Sequence, residues 1–240
     1  QTVETAPREF CEEDLPAVET VYQRLRSAHL PSFVISPAEY EGTAFTALLH
    51  QGAPYAGYRA QSEIAYLLEQ SLAEAGPRRS LHYLYWPMVD TLAHTYGPLS
   101  AAYDRELEFV DLMIRRVADC CAANDCALVL TADHGQATLA AERALLLDAT
   151  CARALDRPPG GNRRVLYLTE KKGHGLRQHP LLQQEDLLVI DTDDAIARGW
   201  FGGPSVANRS ALGDLIVMAM TDRQLLFDYG DGVGCFAGAH

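Results

Sequence analysis

The sequence predicts an α/β protein with a mainly parallel central sheet, flanking helices and a C-terminal antiparallel hairpin. Three observations carry this. Stretches with helical spacing alternate with short apolar runs of strand length through the first half of the chain. One long amphipathic stretch lies directly between two such runs, the strand–helix–strand unit whose strands run parallel in one sheet. Finally, 240 residues with 48% hydrophobic composition suffice to bury one ordinary core, so residues 1–240 are read as a single α/β domain.

From Pro16 to Ala28, Val18, Val21, Tyr22 and Leu25 recur at helical spacing, with Pro16 suited to a first turn and Pro31 ending the pattern. "SFVIS" (Ser32 to Ser36) follows as a short buried strand. Ile64, Leu67, Leu68 and Leu72 line one face of a second helix, which Gly76 and Pro77 stop. "LHYLYWPMV" then reads as a strand running up to Asp90. Ser100 is placed to cap a third helix, striped by Tyr103, Leu107, Val110, Ile114 and Val117 and reaching about Ala122. "ALVLTADHG" completes the unit as a strand ending at Asp133, His134 and Gly135.

Further on, residues 137 to 147 have a helical composition, "RPPGGN" is a turn or loop, "RVLYLT" a strand, and Asp193 to Arg198 a short helix. "DLIVMAM" (Asp214 to Met220) and "QLLFDYG" (Gln224 to Gly230), joined by three residues, are expected to form the terminal hairpin.

The net charge of −12, from 32 acidic and 20 basic residues, argues against a nucleic-acid-binding surface. If the substrate is an anion, positive charge must be local, and metal ions are the obvious source. Six cysteines show neither zinc-ribbon spacing nor the density of a disulfide scaffold and read as reduced thiols, which favours a cytoplasmic setting. Cys120, Cys121 and Cys126 are expected to be small buried hydrophobes. No window approaches the roughly 18 uninterrupted apolar residues of a spanning helix, and no signal peptide is visible. The chain starts at Gln1 and stops at His240 after glycine-rich sequence, so both ends are expected to be cuts.

A helical turn after the strand would put Asp90 and His94, spaced i and i+4, on one face, where they could grip one ion or simply cap the turn. Asp133 and His134 end a neighbouring parallel strand, and ligands collect at the carboxyl ends of such strands. Carboxylate oxygen and neutral imidazole nitrogen suit zinc, and "GCFAGAH" adds His240 behind small residues.

"DTLAHTYGP", "TADHG" and the closing "GAH", in this order, with "GDLIVMA" before the last histidine, resemble the type I phosphodiesterase and nucleotide pyrophosphatase family of the alkaline phosphatase superfamily. The resemblance covers most of the chain. It implies an alkaline-phosphatase-like fold and two divalent ions, zinc by preference, with Asp90, His94 and His240 holding one and Asp133 and His134 the other. It implies a metal-dependent hydrolase of phosphodiester or pyrophosphate bonds acting on a small phosphate ester or nucleotide. The family's threonine or serine nucleophile and a further metal-binding aspartate have no match here, since Thr2 and Thr5 lie in a polar segment with no strand before it. The expectation is therefore a central and C-terminal part of a longer catalytic domain, with the first strands and nucleophile upstream of Gln1 and the isolated piece inactive.

Two alternatives stay open. One is another hydrolase of the superfamily, for phosphomonoesters, phosphonates or sulfates. The other is a non-catalytic metal-binding fragment. Tyr96, between two site elements, and His174, within the basic "EKKGHGLRQHP", are the candidate substrate contacts, against the plainer readings of turn support and solvated loop. His82, in an apolar run, reads as a hydrogen-bonded core residue.

Overall fold

The computed structural model describes residues 19–203, 206, 209–230 and 238–239. Two compact units emerge: residues up to Val89 with Glu106–Thr131, and Asp90–Arg105 with the chain from Ala132 onward.

In the first unit, α1 (Val21–Ser27) starts at Thr20, whose side chain accepts from the Gln23 N–H while Gln23 reaches back, a reciprocal capping box. β1 (Ser32–Pro37) is buried at every position. It lies between β2 (Tyr55–Tyr58) and β3 (Leu81–Leu84) in a three-stranded parallel sheet, with Val34 opposite both Tyr55 and Tyr83. A strand covered on both faces needs the continuous apolar run that "SFVIS" supplies. Between them, α2 (Ala44–Leu49) and β2 carry no strong periodicity and escape the sequence reading. α3 (Glu63–Ala75) buries Ile64, Leu68 and Leu72 and ends at Gly76 with φ +60° and ψ −141°, a positive-φ conformation open to glycine but not to residues with a Cβ.

α4 (Met88–Tyr96) follows β3 after a short link, so Asp90 stands in the first turn of a helix and not at a strand end. α5 (Ala101–Ala123) starts where Ser100 Oγ accepts from the Tyr103 N–H at 3.2 Å. Its stripe is buried only towards its C-terminal end: Val117, Cys120 and Cys121 join Ile35, Tyr58, Ile64, Leu68 and Leu72 in one core, while Leu107 stays 41% exposed. Cys120 and Cys121 are buried as expected of small hydrophobes, whereas Cys126 packs against this core but is only partly buried.

The strand expected at "ALVLT" does not form. Among the described residues, 127–130 carry no strand, and Val129 is 84% exposed. Apolar sequence favours an extended chain, but a strand exists only where a neighbour completes its ladder.

The second unit continues with β4 (Ala137–Thr138) and β5 (Ala140–Leu146), where the composition suggests a helix. Ala, Leu, Glu and Arg do favour helix, but burial of Leu145 and Leu147 and parallel pairing with a later strand decide otherwise. After α6 (Ala149–Ala154) come β6 (Gly160–Gly161), β7 (Val165–Leu168), β8 (Leu187–Asp191), α7 (Thr192–Ala197), β9 (Leu215–Ala219), β10 (Arg223–Leu226) and β11 (Gly238–Ala239). Strands β6, β7, β9 and β8 form an antiparallel sheet in that order, so parallel pairing does not dominate this unit. Leu215 and Val217 face one core with Leu166 and Leu168, and Ile216 faces a second with Ile190 and Ala195.

The terminal hairpin is replaced by a fork. β9 pairs with β7 and β8, whereas β10 pairs in parallel with β5. The Arg164 guanidinium sits in the fork, donating to Ala219 O at 2.8 Å, to Arg223 O at 3.0 Å and to Thr221 O. Carbonyls at the start of a two-strand ladder are thereby taken by one planar cation with several donors.

Candidate metal centre

α4 executes the i, i+4 geometry. Asp90 Oδ1 and His94 Nε2 face each other at 3.4 Å, with the Asp90 side chain 38% and the His94 side chain 24% exposed. His94 is oriented from its other nitrogen, because Nδ1 lies 2.8 Å from Gly238 O. A carbonyl can only accept, so that contact fixes the proton on Nδ1 and turns the Nε2 lone pair towards Asp90.

Asp133 and His134 repeat the pattern without a helix. His134 Nδ1 lies 3.0 Å from Gly135 O, and Nε2 lies 3.5 Å from Asp133 Oδ2. The His134 N–H donates to Asp133 Oδ1 at 3.1 Å, holding the carboxylate against its own turn. Each histidine thus has Nδ1 on a glycine carbonyl and Nε2 beside a carboxylate, the arrangement in which metal-ligating histidines are usually held.

Gln136 Nε2 donates to Asp90 Oδ1 at 2.8 Å, so the Asp133–Gln136 stretch is tied to α4. Gly238 lies against α4 as well: a Cβ there would meet Ala93 O at 2.5 Å and Pro98 Cδ at 2.8 Å. β11, pairing antiparallel with β4, therefore reaches the helix backbone only because residue 238 has no side chain. The small residues noted before His240 permit such an approach, whereas Gln136 was not found from sequence because no spacing rule marks it.

His240 lies outside the described residues, as do Thr2, Thr5, Cys11 and Cys235. Among the described residues no group of three or more His, Cys, Asp or Glu side chains is placed to hold a metal ion. What the structure brings together is two Asp–His pairs, not the full expected ligand sets. Tyr96 is 59% exposed at the end of α4. His174 is exposed in a turn, its N–H on Lys171 O; Arg177 in that loop pairs with Asp191, and His179 Nδ1 accepts the Leu181 N–H. Arg177 and His179 are thus engaged within the fold.

His82 is the core residue expected. Ser71 Oγ donates to Leu68 O and so accepts from His82 Nδ1 at 2.8 Å, leaving Nε2 to accept from Ser80 Oγ at 2.8 Å. Its ring stacks on Phe33, and burial pulls its pKa below the ordinary 6.5.

The sequence profile described as "Type I phosphodiesterase / nucleotide pyrophosphatase" matches residues 5–240. The chain belongs to this family. Among solved structures it resembles murine ectonucleotide pyrophosphatase/phosphodiesterase 5, an inactive variant in complex with AMP, at a TM-score of 0.64 and 16% identity over 92% of this chain and 58% of that one. The human counterpart gives 0.62 and 17%, with the same two coverages. Phosphonoacetate hydrolase from Sinorhizobium meliloti 1021, in complex with phosphonoacetate, gives 0.57 and 13%, covering 92% of this chain and 64% of that one. No curated protein sequence matches significantly. The fold is thus the expected α/β, alkaline-phosphatase-like one, and this family member spans somewhat over half the length of the solved structures it matches. No helix among the described residues is long and apolar enough to cross a membrane.

Proposed function

We propose that this family member works in a metal-dependent hydrolase of phosphodiester or pyrophosphate bonds, with a nucleotide or small phosphate ester as substrate. The observation that carries the reading is the repeated Asp–His pair, at 3.4 Å on α4 and at 3.5 Å at Asp133–His134, each imidazole turned by a glycine carbonyl. Oxygen and imidazole donors of this kind fit zinc. Asp90 and His94, with His240, would hold one ion, and Asp133 with His134 the other. Two such ions, when bound, supply positive charge for phosphoryl oxygens and ease ionisation of a hydroxyl near neutral pH.

The protein's own residues prepare that site. Gly238 and Gly135 carbonyls select the tautomers of His94 and His134, and the His134 N–H orients Asp133. The pairs place two of the carboxylates of a chain of net charge −12 at the site, so a phosphate ester is repelled until cations are in place. By the family resemblance the attacking group is a threonine or serine hydroxyl upstream of Gln1, and the 240-residue piece alone turns over little or nothing. The fold likeness to phosphonoacetate hydrolase keeps a second reading, cleavage of a phosphonate.

Asp90→Asn and His94→Ala should each lower the zinc content found by elemental analysis; unchanged stoichiometry removes both from the site. The full-length protein should cleave bis(p-nitrophenyl) phosphate faster than p-nitrophenyl phosphate, and chelation should abolish the activity. The opposite preference would favour a phosphomonoesterase, and release of phosphate from phosphonoacetate alone would favour the second reading.

A further inference from the structure

Gln136 is half-buried, and its two amide atoms fare differently. Nε2 donates to Asp90 Oδ1 at 2.8 Å, the same oxygen that stands 3.4 Å from His94 Nε2. Oε1 is buried and has no hydrogen-bond partner among the described residues. Reversing the amide would press its oxygen against the carboxylate, two acceptors facing each other, so the orientation with nitrogen on Asp90 is the chemically sensible one. The stranded oxygen is therefore the consequence of holding a donor on Asp90. A buried acceptor without a partner weakens a fold, and an apolar side chain of similar volume would fill the same space without it. Stability by itself does not call for glutamine at this position.

We propose that Gln136 is a positioning residue of the metal centre. Its amide N–H fixes how the Asp90 carboxylate is turned and links the stretch carrying Asp133 and His134 to the helix carrying Asp90 and His94. The proposal rests on reading Asp90 and His94 as cation ligands. Partners that orient a ligating carboxylate typically change metal affinity by about ten- to a hundred-fold when removed.

The experiment compares the parent protein with Gln136→Met and Asp90→Asn. Zn²⁺ affinity is measured by competition with a chromophoric chelator, the Co²⁺-loaded forms by visible absorption, and metal-free forms by thermal unfolding. Expected for Gln136→Met is Zn²⁺ affinity weakened by about ten- to a hundred-fold, an altered Co²⁺ spectrum, and a metal-free melting temperature equal to or above the parent's. A purely structural glutamine predicts the reverse, so failure to fold or a lower metal-free melting temperature overturns the proposal. Loss of Zn²⁺ affinity in Asp90→Asn with none in Gln136→Met overturns the role of Gln136 and leaves the ligand reading standing. Undiminished affinity in Asp90→Asn overturns both.

Discussion

Gly238→Ala should loosen the proposed metal centre without altering any proposed ligand. The new Cβ would lie 2.5 Å from Ala93 O, 2.8 Å from Pro98 Cδ and 3.2 Å from Ala93 C, and the first and last of these are backbone atoms that cannot swing aside. Ordinary non-bonded contacts between carbon atoms sit at about 3.5 Å or beyond, so β11 must withdraw from α4 by roughly 1 Å. The 2.8 Å contact between His94 Nδ1 and Gly238 O then stretches out of hydrogen-bonding range. Overpacking of this kind costs about 1–3 kcal/mol and the lost hydrogen bond about 0.5–1.5 kcal/mol, together roughly 1.5–4.5 kcal/mol. For a chain of this size that is a fall of roughly 3–18 °C in melting temperature. Zn²⁺ affinity, read by chelator competition, should fall with it because His94 loses the partner that sets its tautomer. A Gly238→Ala protein that melts with the parent and binds Zn²⁺ equally well would refute the close-approach argument.

Leu168 is fully buried between the antiparallel sheet and its core, so Leu168→Ala should cost about 2–5 kcal/mol by urea denaturation; a loss within error of zero would place it outside that core. Burial lowers the His82 pKa below 6.5, so the unfolded chain takes up that proton first as pH falls. The stability this neutral imidazole contributes is complete above pH 6.5 and is lost as pH drops through the folded value. The difference in unfolding free energy between parent and His82→Gln should therefore narrow from pH 7 to pH 5, and a constant difference would refute the burial argument. The Cys151 thiol is fully buried, and burial, with the Asp148 charge adding to it, pushes its pKa to about 11. At pH 8 only about one such thiol in a thousand is ionised, so Ellman's reagent should label partly exposed Cys126 in the native protein and Cys151 only after denaturation; native labelling of Cys151 would contradict its burial.

Much of the chain up to Ala123 was legible in the sequence because its signals are local. The apolar spacing of α3 and its stop at Gly76, the Ser100 cap of α5 and the continuous apolar β1 each depend on residues within a few positions of one another. The Asp90–His94 pair is legible for the same reason, since helical pitch alone places i and i+4 on one face. Where strands needed distant partners, local pattern misled. Residues 137 to 147 carry helix-forming side chains but lie mostly in β4 and β5, because β10 offers a ladder and the core takes Leu145. "DLIVMAM" and "QLLFDYG" look like a hairpin, yet each strand pairs with strands far away in the chain, the first with β7 and β8 and the second with β5.

By itself, then, the sequence determined the family, the helices with clear periodicity, and the Asp and His residues from which the proposed metal centre is built. Tertiary structure decided how those atoms are held: His94 is set by a carbonyl 144 positions along the chain, and Asp90 by an amide 46 positions along it. The physical reason is range. Helical spacing and capping are satisfied within one or two turns, whereas strand pairing and the orientation of a carboxylate or imidazole depend on hydrogen bonds whose partners only folding brings near.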